Sequence, residues 1–380
     1  MSTKGRNFFV TTISSHLDAV RNHLPRPATE LVTPAEAADR ILAEDIRAAQ
    51  DSPLFDNSQM DGYAIPSPGQ EFAVGPTIAA GSNPEPLDHR AAPIMTGAKV
   101  PPGTYAIVPV EKCDPPAFLD QGQTITIPET PAGQFIRTRG SDAKRDDLLL
   151  PTGTEITPAG IGLLISQGIA QVRVNKKARI LIVTGGAEVG THITDSNSPM
   201  LTALAQRHGI DVAGHVLTDD DPTALRNALA GAVDKHHPDV IVTSGGISAG
   251  KFEVVRQVLD GWFGHVDMQP GGPQGLASFD GVPAVCLPGN PISTLVSFRM
   301  FVAPVLGHAP TALTTTITEE RRGLDNKEQL LRGTLTTEGA TPVGGTSSHL
   351  LAQGALADCL IRIPAGATVG AGEFVTVYPL

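Results

Sequence analysis

Short apolar runs alternate with helical segments between residues 177 and 308, and this alternation constrains the fold more than any other feature. The apolar runs predict strands at 180–183, 212–216, 240–242 and 284–287. Helical patterns follow at about 199–207, 222–233, 252–259 and 291–305. Strands of a parallel sheet are apolar on both sides because helices cover both faces. The pattern therefore predicts a parallel α/β sheet domain.

The 380 residues exceed what one hydrophobic core usually organises, so several domains are expected. The first fifty residues have helical character, with a helix start at Thr33 and Pro34. Proline, glycine and short β-branched runs then dominate, before a helical pattern returns at 157–165. The last seventy residues are rich in threonine, glycine and valine. We predict a multidomain α/β plus β protein: a helical framework domain (1–50 and 139–176), an inserted β domain (51–138), the α/β domain (177–308) and a small C-terminal β domain (309–380).

Charge and composition exclude several classes of protein. The net charge is −11 without a basic block, which disfavours binding to nucleic acid or to an anionic membrane surface. No apolar run approaches the roughly 20 residues of a membrane helix, and His16 and Asp18 interrupt the faint resemblance to a signal peptide. Cytoplasmic localisation is expected. Three widely spaced cysteines predict buried free thiols and support neither disulfides nor a zinc site.

Two glycine-rich loops follow predicted parallel strands, where open α/β sheets bind ligands. They are 184–186 and 243–250. Their glycines let the backbone approach a ligand, and Ser244 and Ser248 could donate hydrogen bonds to phosphate oxygens. The spacing matches neither the dinucleotide nor the Walker fingerprint, which leaves a nicotinamide-dependent oxidoreductase poorly supported. A Gly-Gly turn between strand and helix is nevertheless more often structural than functional.

A third loop, 287–291, joins a strand to a helix with proline in its first turn. It is explained either as an ordinary helix start or as a ligand contact through Gly289 and Asn290. Asp195 stands just before a predicted helix, where an N-cap explains it. Its position after the first strand could also orient a bound pterin or nucleotide.

Carboxylates and arginines concentrate in two segments before the α/β domain. Asp56 and Asp61 lie among aromatic and apolar residues in 55–64, where buried carboxylates would need a metal or hydrogen-bond donors. In 137–142, Arg137 and Arg139 could hold an oxyanion and Asp142 a metal. A solvated turn explains the first segment equally simply, so neither is decisive alone.

Six ordered motifs together resemble the MoeA family of molybdenum insertases, to which the E domain of gephyrin is related. They are 56–64, 94–98, 139–142, 244–250, 287–291 and 348–351, and the resemblance covers nearly the whole chain. It implies a four-domain subunit with a molybdopterin-binding type of α/β domain and a C-terminal β-barrel-like domain. It also implies an elongated homodimer, with the active site between the α/β domain of one subunit and the β and helical domains of the other.

The resemblance further implies a Mg²⁺-dependent enzyme that converts adenylylated molybdopterin and molybdate to molybdenum cofactor and AMP. A molybdopterin adenylyltransferase would supply the substrate, and apo-molybdoenzymes or their chaperones would receive the product. The implied catalytic residues are Asp61 and Asp142, supported by Asp56 and Thr96. The implied metal-binding residues are Asp61, Asp142, Glu188 and Glu253. The implied substrate-binding residues are Asp195, Asn197, Ser244, Gly245, Gly246, Ser248, Gly250, Pro288, Gly289, Asn290, Arg137, Arg139 and Ser348, with a minor contribution from His349.

The chain departs from the family pattern at charged positions. Gly186 stands where relatives carry an aspartate, for which Glu188 is the possible substitute, and Glu253 stands where aspartate is common. Gln269 and Gly272 occupy positions where relatives carry lysines. An oxyanion site has thereby lost point charges, which Arg137, Arg139 or Lys251 could replace.

Two alternatives to an active enzyme follow. One is a paralogue that binds or stores molybdopterin without inserting metal, which metal-dependent AMP release would distinguish. The other is a dimeric scaffold that clusters another protein, which the absence of a linker or long disordered arm does not favour.

Overall fold

The computed structural model describes residues 11–185, 194–218, 221–247 and 253–380. It divides into two units: one combines Met1–Ala28 with Asn175–Leu380, and the other is Thr29–Val174. No helix in the described part of the chain has the length and apolar character needed to cross a membrane. Cys113, Cys286 and Cys359 are free and buried, which confirms the prediction.

The unit Thr29–Val174 consists mainly of short strands. Between residues 51 and 138, all described, the helical content is the single 3₁₀ turn Val110–Lys112, as the composition predicts. Gly62–Ile65 is the central strand of a three-stranded antiparallel sheet. The strands of this unit are Thr29–Val32, Ile46–Arg47, Asn57–Ser58, Gly62–Ile65, Glu71–Ala73, Ala92–Ile94, Ala106–Pro109, Thr124–Thr126, Ile136–Arg137 and Leu148–Leu150, with Val172–Asn175 at its end.

The prediction of a helical first fifty residues is correct only for Ile13–His23. Thr33 and Glu36 form a capping box, yet only the 3₁₀ turn Pro34–Ala37 follows. The backbone then turns at Asp39, whose φ is +58°, and Leu42 donates its N–H to Thr154 O at 2.9 Å. Tertiary backbone pairing therefore overrides the local helix signal. The predicted helix at 157–165 is confirmed as Pro158–Ser166, capped by Thr157.

The α/β domain contains a six-stranded sheet. Its strand order is Asp211–Thr218, Arg179–Gly185, Val240–Ser244, Val282–Leu287, Pro273–Phe279 and Asp260–His265. The first four strands are parallel and the last two antiparallel. The four predicted strands are thus confirmed. The antiparallel pair escaped prediction because its glycine-rich sequence lacks a continuous apolar run.

Alternate residues of the central strands enter two different cores. Ile180 and Ile182 pack in one core with helices Asn197–Arg207 and Pro291–Ser297. Leu181 and Val183 pack in the other with helices Pro222–His236 and Val254–Val258. Burial on both faces explains the continuous apolar runs. The chain after Pro291–Ser297 continues through the π turn Phe298–Val302 into Ala303–Leu306.

The C-terminal region forms a second, mainly antiparallel sheet. Its hydrogen-bonded order is Met268–Gln269, Glu328–Thr336, Cys359–Ile363, Phe374–Pro379 and Leu313–Thr316, and Gly339–Pro342 also pairs with Glu328–Thr336. Arg321–Arg322 pairs separately with Thr368–Val369, and the short helix is Leu351–Gly354. The β character of this region is confirmed, whereas barrel closure remains a prediction.

Candidate active-site pocket

A cavity of about 1240 Å³ opens at the carboxyl ends of the parallel strands, within the unit that contains the α/β domain. This is the position at which open α/β sheets bind their ligands. Of the residues predicted from the sequence, the cavity is lined by Asp195, Asn197, Ser244, Gly245, Gly246, Glu253, Pro288, Gly289, Asn290, Ser348 and His349. Glu188, Ser248, Gly250 and Lys251 lie outside the described residues.

Glycines allow two loops of the pocket to touch. Gly245 and Gly246 adopt φ values of +98° and +68°, which L side chains rarely adopt. A Cβ on Gly289 would lie 3.1 Å from the Gly245 Cα. The two loops therefore bring their backbones to the cavity wall, where their polar groups can face a ligand.

Hydrogen bonds from buried and partly buried side chains hold these loops in place. Asn197 Nδ2 donates to Ser244 Oγ at 3.0 Å and to Gly289 O at 2.8 Å. Ser244 Oγ donates to Pro288 O at 3.2 Å and lies 2.9 Å from Thr294 Oγ1. A hydroxyl has one proton and two lone pairs, so these partners use nearly all of the hydrogen-bonding capacity of the Ser244 side chain. Ser244 is thus engaged in fixing the loops that the sequence predicted to bind a ligand.

Asp195 organises the start of the helix Asn197–Arg207. Its carboxylate accepts hydrogen bonds from Thr184 Oγ1 at 2.9 Å and from the Asn197 and Ser198 backbone N–H groups at 3.0 and 3.1 Å. Burial by itself would raise the pKa of Asp195, but the hydrogen bonds from Ser198, Thr184 and Asn197 lower it below its ordinary value. A charged carboxylate at this helix start agrees with the N-cap interpretation.

The C-terminal region contributes one wall of the pocket. Asn290 Nδ2 donates to Ser348 Oγ at 3.0 Å, and Ile292 N donates to Ser348 O at 3.2 Å. The buried Arg332 donates from Nη1 to Ser347 O at 3.1 Å and also bonds Gly345 O. The loop that carries Ser348 and His349 is therefore anchored on two sides.

Lys327 is the only lysine or arginine among the described residues that line the pocket. The sequence did not single it out, because its Asp-Asn-Lys context resembles an ordinary turn. His265 and Ser293, which line the same cavity, were not predicted either, whereas Thr184 lies in the predicted ligand loop 184–186. Ser293 lies three residues after Asn290 in a predicted ligand loop, so its polar position in the first helical turn was an available signal.

The unit Thr29–Val174 holds the other predicted residues. Asp61 Oδ1 accepts from Thr96 N at 2.6 Å and from Thr96 Oγ1 at 2.8 Å. These bonds, the backbone one first, lower the pKa of the exposed Asp61 carboxyl below its ordinary value. Asp61 and Thr96, which belong to two separate motifs of the resemblance, are therefore hydrogen-bonded to each other in the structure.

A second set of contacts surrounds Arg139. Asp56 Oδ1 accepts from Arg139 N at 2.7 Å, and the Arg139 guanidinium pairs with Asp51 at 2.5 Å. Asp142 accepts from Ser52 Oγ at 3.1 Å, and Arg137 pairs in strand register with Asn57. Asp56 and Asp51 therefore shape the Arg139 turn. Across the four described ranges, no group of three or more His, Cys, Asp or Glu residues is placed to hold a metal ion by itself.

Three family profiles match successive parts of this chain. Residues 11–168 match the family profile "MoeA N-terminal region (domain I and II)", 170–308 match "Probable molybdopterin binding domain", and 317–380 match "MoeA C-terminal region (domain IV)". Molybdopterin molybdenumtransferase 2 of Mycobacterium tuberculosis (strain CDC 1551 / Oshkosh) is 35% identical over 93% of this chain and 95% of its own length. The chain belongs to the MoeA family.

Two further MoeA relatives agree with this assignment. The molybdopterin molybdenumtransferase of Staphylococcus aureus (strain COL) is 32% identical over 87% of this chain and 86% of its own length. The MoeA protein of Pyrococcus horikoshii OT3 superimposes with a TM-score of 0.81 at 22% identity, covering 98% of this chain and 100% of that chain. The latter similarity concerns the fold.

Proposed function

We propose that this MoeA family member is a molybdenum insertase, which converts adenylylated molybdopterin and molybdate to molybdenum cofactor with release of AMP. The observation that supports this most is the polar cavity at the sheet edge of the segment matching a molybdopterin-binding domain. The relatives that match most of this chain are named molybdopterin molybdenumtransferase.

The pocket is suited to anionic substrates despite the acidic chain. Backbone N–H groups at Gly246 and Gly289 are proposed to hold the pterin or its phosphate, because glycine permits close approach. Gly245 is proposed to contribute by its close approach alone, since its own N–H donates to Leu287 O at 3.0 Å. Lys327 and Ser348 are proposed to bind molybdate oxygens, one as a charge and the other as a hydroxyl donor. Asp195, Asn197 and Ser244 act through the loops that they position.

Mg²⁺ is proposed to assist the reaction. Its proposed ligands are drawn from Asp61, Asp142, Glu188 and Glu253. Mg²⁺ uses one or two carboxylates, waters and substrate phosphates, so no closed protein cage is required. Both hydrogen bonds to Asp61 end on Oδ1, which leaves Oδ2 with its lone pairs for a cation. When bound, Mg²⁺ would neutralise charge developing on the phosphate oxygens. Arg137 and Arg139 would add attraction for the anionic substrate.

The active form is proposed to be a cytoplasmic homodimer in which each active site combines residues of two subunits. Asp61 and Asp142 belong to one unit of the chain and the pocket belongs to the other, so complementation between two inactive variants can test whether subunits share a site. Mixing Asp61→Asn subunits with Ser348→Ala subunits should restore activity in one of the two sites of each mixed dimer. A molybdopterin adenylyltransferase would deliver the substrate, and apo-molybdoenzymes or their chaperones would take the product.

The decisive experiment measures AMP release from adenylylated molybdopterin with Mg²⁺, with and without molybdate. We expect molybdate-stimulated release that falls at least about a hundredfold in Asp61→Asn, the scale of losing one preorganised electrostatic group. Glu85→Gln, an exposed carboxylate change in the same unit, is the matched control and should keep full activity. Tight binding of the substrate without AMP release would contradict the proposed enzymatic activity. It would favour the alternative of a protein that stores molybdopterin.

A further inference from the structure

His265 occupies the space in which a side chain at position 272 would begin. A Cβ built on Gly272 would lie 2.7 Å from His265 Nε2 and 3.0 Å from its Cδ2. His265 ends the strand Asp260–His265 opposite Pro273, which places it beside the Gly271-Gly272 turn. A side chain at position 272 would therefore displace the imidazole from this position.

The turn beneath the imidazole is rigid. Val266 donates its N–H to Gly272 O at 2.8 Å, and the buried Gln274 donates from Nε2 to Gly271 O at 2.7 Å. Gly271 and Gly272 are themselves buried, and both line the pocket together with His265. The backbone next to His265 is thus fixed by hydrogen bonds. The His265 side chain itself lines the cavity and is exposed.

His265 and Lys327 line the same cavity, together with the titratable residues His349, Glu253 and Asp325. Burial lowers the pKa of His265, the positive charge of Lys327 lowers it further, and Asp267 opposes both effects. No hydrogen bond to either ring nitrogen of His265 comes from the residues that the structure describes. A ring nitrogen is therefore available to an incoming ligand beside Lys327. A bound dianion would favour the imidazolium, since an opposite charge raises the pKa of a neighbouring histidine.

We infer that His265 is a second anion-binding group of the pocket, which acts with Lys327 on the molybdate oxyanion and supplies the positive charge that Gly272 lacks. This inference rests on the proposed function for the identity of the anion. Imidazolium Nε2–H would donate to a molybdate oxygen, while Lys327 contributes its ammonium. Molybdate binding would then take up a proton and weaken as pH rises, which a permanently charged lysine would not cause.

The test is calorimetric titration of molybdate into the full chain at about pH 6 and about pH 8, on either side of the range in which histidine usually titrates. The wild type should bind at least about tenfold more tightly at the lower pH, since uptake of one proton changes affinity by up to about tenfold per pH unit. Titration in two buffers of different ionisation enthalpy should reveal proton uptake. His265→Gln should weaken binding about tenfold at the lower pH and abolish both the pH dependence and the uptake. His215→Gln, an exposed histidine change outside the pocket, should behave as wild type.

A swap variant tests the geometry directly. His265→Ala/Gly272→Lys removes the imidazole that blocks position 272 and should recover tight binding without pH dependence. Wild-type affinity and pH dependence in His265→Gln would overturn the inference, whether or not the enzyme is active. Absence of AMP release from a wild type that binds molybdate with proton uptake would instead contradict the proposed function and leave the role of His265 intact.

Discussion

The polar side chains of the α/β pocket and those of the carboxylate surface of Thr29–Val174 differ in burial and in hydrogen bonding. The carboxylate surface comprises Asp56, Asp61 and Asp142. In the pocket, Asn197, Ser244 and Thr294 bond to one another and to loop carbonyls, and Ser244 and Thr294 are buried. On the carboxylate surface, Asp61 is exposed and its described bonds come from one partner, Thr96. The pocket loops are therefore fixed by bonds between their own side chains and backbone, whereas both described bonds to the Asp61 carboxylate end on Oδ1.

The largest expected effect tests whether the carboxylate surface also depends on a fixed backbone. A Cβ on Gly62 would lie 2.0 Å from Val108 O in the adjacent strand. Gly62→Ala should therefore destabilise this unit by roughly 3 kcal/mol, the upper range for overpacking. Calorimetric unfolding measures the loss. Gly97→Ala is the control: its φ is +77° with no heavy atom within 4 Å of the new Cβ, so about 1 kcal/mol is expected. Equal losses would show that steric contact does not decide the cost.

An intermediate effect is expected from Asn197→Ala, which breaks the bridge between Ser244 and Gly289. Removing the donor to the buried Ser244 hydroxyl should cost about 1 kcal/mol of stability, whereas the exposed Gly289 O can bond to water instead. The loops should also lose alignment, so KM for adenylylated molybdopterin should rise about tenfold, whereas KM for molybdate changes less. Steady-state kinetics measure both constants. An unchanged KM in a destabilised variant would assign Asn197 to folding alone.

The smallest effect on stability is expected from Thr96→Val. It removes the hydroxyl bond to Asp61 and keeps the backbone N–H bond, the larger cause of the lowered pKa. The Asp61 pKa should rise towards its ordinary value, because the charged form loses a donor. Activity that requires ionised Asp61 should then decline at a higher pH on acidification, with little change near neutrality. The pH–rate profile measures the shift, and Thr104→Val in the same unit is the control. An identical acid limb would contradict the role of Asp61.

Local sequence patterns predicted the parallel strands correctly but predicted the secondary structure of the N-terminal segment poorly. Runs such as 180–183 are apolar on both faces, and only a doubly covered strand accounts for that. The segment after Thr33 carries a helix start signal, but backbone bonds from Leu42 and Ala43 to distant residues draw it into extended structure. Such bonds depend on partners more than a hundred residues away, which local patterns cannot contain.

The sequence by itself determined the family, the α/β domain and the loops that line the pocket, because glycine, proline and carboxylate positions recur as ordered motifs. It also singled out Gln269 and Gly272, the positions at which the family resemblance implies lysine. Only the tertiary structure brought His265 and Lys327 to the same cavity, since one ends an antiparallel strand and the other precedes a strand of the C-terminal sheet. The proximity of side chains so far apart in sequence is set by sheet register and loop closure, which no local motif encodes.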